Sequence, residues 1–371
     1  MIAVTKNLKS FGWWLGLGLA FFVSLTASYS ADWLGLKFFG FEKSPISAIM
    51  VAIFIGILIA NLINLPKNIE PGLKFCSSII LRVGIMLLGI RLSLIGAGQY
   101  ALIALPFVVV TILIGLFSIG FIGRHLGLPK QLCGLIAVGS SICGCSAIVA
   151  TAPLINANDS EVSYSVTCIT VFGLFAMFVY PIIANQVFTA QPELAGLFLG
   201  TSIHETAQVT GAAMMYEAQY NAPLALDVAT VTKLVRNLCM LFLIPLVGIL
   251  FSSNSSFHAK GKINYLTIVP WFIIGFALMS ALRTIGDMSD MPFGLIDSSH
   301  WNEMVIFIKN TAEQFLLLAM AAVGLTTTLN GVIKIGIAPF ILGLFSAVLI
   351  GSVSISIINI FASDLINLFF L

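Results

Sequence analysis

Charge is what this chain has least of. Only 9% of its 371 residues are Asp, Glu, Lys or Arg, where a soluble domain carries roughly 25%. With 59% hydrophobic residues and a mean hydropathy of +1.08, no soluble core could hide this much apolar surface. The net charge of +2 argues against nucleic acid as a partner. Histidine is nearly missing, at four residues. The six cysteines (Cys76, Cys133, Cys143, Cys145, Cys168 and Cys239) fall in or beside apolar segments without paired metal-ligand spacing, so they read as reduced thiols with no resident metal. There is no Gly-rich phosphate loop, no Gly-x-Ser-x-Gly elbow and no His-Glu-x-x-His. These absences remove the usual signatures of ATPase and protease chemistry; the chain reads as no enzyme and calls for no cofactor beyond a coupling ion.

What is present is a succession of apolar runs, at 12–31, 46–65, 77–96, 102–122, 132–155, 162–185, 194–216, 228–251, 265–282, 314–329 and 337–361. They predict an all-α, polytopic membrane protein of about 11 segments, each of about 20 residues. One transporter domain over 1–371 is expected, its halves meeting near 132–216. The run at 12–31 reads as a retained first span rather than a cleaved signal. Residues 301–313 read as an amphipathic entry helix, with Lys309 and Glu313 as an i,i+4 pair. Lys6, Lys9, Lys67, Lys74, Arg124, Lys130, Lys260, Lys262 and Lys334 fall on one set of alternate loops, and Lys37, Lys43 and Arg283 on the other. This bias places the N-terminus in the cytoplasm of a multi-pass protein of the inner (plasma) membrane.

Two of the runs are interrupted by small and polar residues. One carries Gly139-Ser140-Ser141-Ile142-Cys143-Gly144-Cys145-Ser146, the other Gly200-Thr201-Ser202-Ile203-His204-Glu205-Thr206. Gly139 and Gly200, Ser141 and Ser202, and Ile142 and Ile203 align without a gap. Polar groups at membrane depth are expensive and mark functional sites. A second repeat relates 86–96 to 321–331, and the loop assignment gives its copies opposite directions, an inverted repeat. The motif segments can either cross as helices or dip as opposed re-entrant hairpins; charge sorting fits both.

A helix broken in the membrane exposes N–H groups at the start of its second half, which suit an anion. Ser140, Ser141, Thr201 and Ser202 add hydroxyl donors, and Cys143 and Gly144 complete the first break. Small residues also let helices pack closely, but two matching motifs favour a site. His204 and Gln208, at i,i+4, are expected to share a helical face, with Glu205 one position round. His204 and Glu205 form a pair suited to proton or Na⁺ coupling. Lys233 and Arg236 lie inside a span, with Asn237 sharing the Lys233 face, and would balance the charge of a bound anion. Arg82 reads as an interfacial anchor, whereas Arg91 lies deeper. The expected partners are the bilayer and a small anion; a homodimer is compatible with the pattern. The rival reading is a membrane-embedded enzyme using Cys143 or His204 on a lipid-soluble substrate, although no nucleophile–base spacing is recognisable.

The runs Gly139-Ser-Ser-Ile-Cys-Gly-Cys-Ser-Ala, Gly200-Thr-Ser-Ile-His-Glu-Thr-Ala-Gln-Val, Leu88-Gly-Ile-Arg-Leu and Lys233-Leu-Val-Arg resemble the YeiH-type family of sulfate exporters, and the resemblance extends over most of the chain. It departs at Glu205, where the family pattern implies Asp, and at Cys145, where it implies a small residue. The resemblance implies export of a small sulfur-containing anion across the inner membrane. It also implies a fold similar to cation/proton antiporters and bile-acid-type symporters.

Overall fold

The computed structural model describes residues 11–33, 47–251, 271–289, 292–294, 297–327 and 337–370. Among these the chain is helical, without strands. The helices are α1 (Phe11–Asp32), α2 (Ala48–Leu62), α3 (Lys67–Arg91), α4 (Leu94–His125), α5 (Lys130–Ser141), α6 (Cys145–Thr151) and α7 (Asp159–Val187). They continue with α8 (Pro192–Ser202), α9 (Thr206–Tyr220), α10 (Pro223–Leu238), α11 (Met240–Phe251), α12 (Trp271–Gly286), α13 (Ser298–Thr326) and α14 (Ile337–Phe370). Six of the described helices (α1, α3, α4, α7, α13 and α14) are long and apolar enough to cross a bilayer, and α2 and α12 are shorter apolar helices. Large apolar side chains such as Phe117, Phe121, Phe175 and Ile360 stand exposed along them, as lipid-facing side chains would. The chain is a polytopic all-α membrane protein.

The helices gather into two compact units. The first takes Met1–Gly96, Met214–Ala222 and Trp271–Leu329. In it, α2 and α13 meet backbone to backbone at Gly56 and Gly324, where an added Cβ on Gly56 would fall 2.8 Å from the Gly324 Cα. Only glycine permits that approach. The second unit takes Ala97–Ala213, Pro223–Pro270 and Asn330–Leu371. Its core is a branched-chain layer of Ile112, Leu116 and Ile119 from α4, Leu135 and Ile136 from α5, Ile148 from α6 and Ile169 from α7.

Several element boundaries differ from the sequence expectation. The runs 77–96 and 102–122 divide at Leu92 and Ser93. The Ser93 hydroxyl accepts from the Gly96 N–H at 3.0 Å and starts α4, which then carries Pro106 inside it. Residues 301–313 and 314–329 are not two elements but the one 29-residue helix α13, capped by Asp297, whose carboxylate accepts from the Ser299 and His300 N–H groups. Glu313, expected to pair with Lys309, lies against Arg91 instead. The run 228–251 begins earlier, at Pro223, where proline suits a first helical position, and it divides at Cys239. By contrast, Asn158 and Glu161 form a reciprocal capping box that starts α7 between the expected runs 132–155 and 162–185.

The copies of the longer repeat stop helices at matching positions: α3 ends at Arg91 and α13 at Thr326, the sixth residue of each copy. The end of the second copy, 328–331, lies outside the described residues. So do Lys6, Lys9, Lys37, Lys43, Lys260, Lys262 and Lys334, which carry most of the charge sorting.

Candidate functional site

Both motif segments are broken helices. The first stops at Ser141 and restarts at Cys145. The second stops at Ser202 and restarts at Thr206. At the first break Gly144 adopts φ +70° and ψ −133°, a conformation open to glycine and strained for any L side chain. A Cβ there would also sit 3.2 Å from the Glu205 Cβ, so the two breaks lie against each other. The Ile148 side chain of α6 packs on Gly139 of α5. A straight helix would separate those residues by about 13 Å, so α6 turns back along α5.

A helix C-terminus leaves carbonyls unpaired, with partial negative charge. Here the last carbonyls of α5 and α8 converge on two side chains of α10. Arg236 Nε donates to Ser141 O at 2.8 Å and Nη2 to Ser140 O at 2.5 Å. Its Nη1 donates to Thr201 O and Ile203 O, both at 2.8 Å. Lys233 Nζ donates to Ile142 O at 3.2 Å and Ile203 O at 3.0 Å, and also to His204 O. The arrangement follows the repeat: Arg236 takes the aligned carbonyls of Ser140 and Thr201, and Lys233 takes those of Ile142 and Ile203. Both cations are fully enclosed, Lys233 at 1% exposure and Arg236 at 0%. Their charge reaches the site through space, because their donors are engaged by backbone.

The hydroxyls are paired by the same symmetry. Ser140 Oγ donates to Ser346 Oγ at 2.9 Å, and the aligned Thr201 Oγ1 pairs with Ser354 Oγ at 2.5 Å; both partners belong to α14. Ser202 Oγ bonds back to Phe198 O at 2.6 Å. These three expected anion donors are therefore turned to protein acceptors. Ser141 Oγ is buried without a hydrogen-bond partner among the described residues. Cys143 Sγ lies 2.9 Å from Met240 Sδ of α11.

The expected shared helical face of His204 and Gln208 does not form, because the helix is interrupted between Ser202 and Thr206 and His204 lies in the break. The His204 ring is buried, toward the Ser140 carbonyl, with neither nitrogen at hydrogen-bonding geometry among the described residues. Gln208 acts as a strut: its Nε2 donates to Thr170 O on α7 at 3.1 Å, and its Oε1 accepts from the Glu205 N–H at 3.3 Å. Glu205 is the partly open group, facing Cys145 and within electrostatic reach of Lys233. Asn237, next to Arg236, donates to Thr206 Oγ1 at 3.3 Å, at the start of α9, and its amide oxygen is buried without a partner among the described residues.

The α14 serines and Asn237 were not singled out as site residues in the sequence. Ser346 and Ser354 were visible there only as small hydroxyls in an apolar run, indistinguishable from Ser352 and from Ser356, which bonds back to its own helix. Among the described residues, no three His, Cys, Asp or Glu side chains are grouped to hold a metal.

Comparison with known proteins agrees with this architecture. The sequence model of the family described as Conserved hypothetical protein 698 matches residues 15–343. A UPF0324 membrane protein of Fusobacterium nucleatum is 31% identical over 346 residues, covering 92% of this chain and 96% of the relative. A UPF0324 membrane protein of Streptococcus agalactiae is 32% identical over 333 residues, covering 88% and 91%. One from Bacillus cereus is 29% identical over 356 residues, covering 96% of each chain. This chain, a multi-pass membrane protein, belongs to the Conserved hypothetical protein 698 family, the YeiH/UPF0324 membrane proteins.

Proposed function

We propose that the protein is a secondary transporter of a small anion, working by alternating access and driven by H⁺ or Na⁺. The observation that carries this reading is the meeting of two aligned helix breaks around Lys233 and Arg236, with Glu205 the partly open ionisable group beside them. A transport site needs groups at membrane depth that bind a solute and release it, and interrupted helices supply them.

The charge balance supports an anion. Lys233 and Arg236 contribute two positive charges. Glu205 and the partial charges at the C-terminal ends of α5 and α8, each about −0.5, offset them. The first turn of α9 then tips the site toward positive. Gln208 Oε1 accepts the Glu205 N–H, and its side chain braces the break against α7. Proton uptake by Glu205 removes a negative charge from the site and makes it more attractive to an anion, which links a proton to the cargo. His204, buried in the same break, belongs to this coupling group. Cys143 faces Met240 rather than a general base, which supports transport over chemistry on a substrate.

The family resemblance points to sulfate or an organosulfonate as cargo, export as the direction and the inner membrane as the location, with the N-terminus cytoplasmic. The aligned hydrogen bonds of the two breaks support an inverted pair. The test is purified protein in proteoliposomes loaded with sulfate, an organosulfonate, phosphate or chloride, with and without pH and Na⁺ gradients. Gradient-dependent flux of one anion class is expected. No flux of any anion under any gradient, with folded protein in the membrane, contradicts the reading.

A further inference from the structure

In the first unit, Arg91 holds two carboxylates. Its Nη2 donates to Glu217 Oε1 at 2.7 Å and its Nη1 to Glu217 Oε2 at 3.4 Å, a bidentate pair. The same Nη1 reaches Glu313 Oε1 at 3.5 Å, the outer limit of a hydrogen bond. One guanidinium cannot neutralise two carboxylates, and the shorter, two-toothed contact gives it to Glu217. The Arg91 side chain is 6% exposed, that of Glu217 23% and that of Glu313 43%, so Glu313 is also the more accessible acid. Its position makes the surplus charge expensive, since Glu313 stands at the middle of α13, a helix long and apolar enough to cross a bilayer.

We propose that Glu313 is a proton-binding site, created by its competition with Glu217 for Arg91 and separate from the Glu205 break. The neutral carboxyl removes the surplus negative charge and can donate its proton to a neighbouring oxygen, whereas Glu217 stays ionised in its ion pair. The charged groups acting on Glu313 are Glu217 on α9, Arg91 on α3 and Lys309 one turn earlier on α13. Glu217 favours proton uptake, and the two cations oppose it. Arg91 is already committed to Glu217, which leaves Lys309, without an ion pair among the described residues, as the other opponent. Proton binding at Glu313 does not depend on the transport reading; if that reading holds, the protein has a second protonation site in addition to Glu205.

The test is pH-difference infrared spectroscopy of the full-length protein in lipid nanodiscs, with transport not required. A protonated-carboxyl band is expected at neutral pH that is lost in Glu313→Gln and persists in Glu205→Gln. Glu217→Gln should lose the same band without touching Glu313, because the guanidinium of Arg91 then has Glu313 as its carboxylate partner and holds it ionised. Persistence of every such band in Glu313→Gln, or an undiminished Glu313 band in Glu217→Gln, overturns the proposal. A wild-type protein that shows the band in nanodiscs but moves no anion in proteoliposomes would instead count against the proposed function.

Discussion

Arg236 donates to the Thr201 carbonyl at 2.8 Å with the same guanidinium that takes the aligned Ser140 carbonyl, so one side chain closes the ends of two helices. That relationship makes Arg236 a structural cation first and a source of positive potential second. Arg236→Met should leave several buried carbonyls unpaired, each lost partner costing about 1–3 kcal/mol. The expected result is a large fall in the detergent melting temperature or failure to fold. Arg236→Lys should recover part of the stability but not all, because an ammonium cannot match the planar fork. Melting curves of the three proteins, read by tryptophan fluorescence, check this. Equal melting temperatures would show that the carbonyls do not need the guanidinium.

Gly144→Ala tests the first break. With φ at +70°, an L residue is strained by about 1–2 kcal/mol. The added methyl would also press on Glu205 at 3.2 Å. Reduced stability and reduced anion flux are expected together. A variant with wild-type flux would mean that Glu205 is not held where the structure places it.

Both breaks were legible in the sequence because glycine and hydroxyl residues stand out in an apolar run, and their gapless alignment survives as matched hydrogen bonds. The long helices were legible from hydropathy alone. The role of Lys233 and Arg236 was not, since a basic residue in a span looks the same whether it meets a ligand or backbone carbonyls. The answer depends on where α5 ends, more than ninety residues earlier in the chain. The continuity of α13 was hidden for a related reason. Its polar first half looked like a separate interfacial helix, but Glu313 is satisfied in part by Arg91, a residue 222 positions away.

The α14 serines provide a finer test of the symmetry. Ser346→Ala and Ser354→Ala each remove one hydroxyl partner, from Ser140 and Thr201 respectively, and should each cost about 1 kcal/mol. Thr201 also bonds to Leu197 O at 2.7 Å, so Ser354→Ala should be the milder change. Unfolding midpoints of both single variants and the double variant measure this; a silent Ser346→Ala would remove α14 from the site.

Asp297 gives the pH dependence its sign. Backbone N–H bonds from His300 and Ser299, together with the Ser299 hydroxyl, hold its carboxyl down from 3.8 to about 2. A depressed carboxyl stabilises the folded state above pH 3.8, and the contribution fades as pH falls through about 2. Asp297→Ala should lower the melting temperature at neutral pH, Asp297→Asn should retain much of the cap, and the gap between wild type and Asn should close in acid. A gap independent of pH would contradict the capping account.

Anion counterflow and pH-driven flux by Glu205→Gln in proteoliposomes test the coupling role of Glu205 most directly. Because Gln resembles the protonated acid, anion exchange should persist while the dependence of net flux on the coupling-ion gradient is lost. Wild-type rates for every candidate anion, with unchanged pH and Na⁺ dependence, would contradict it.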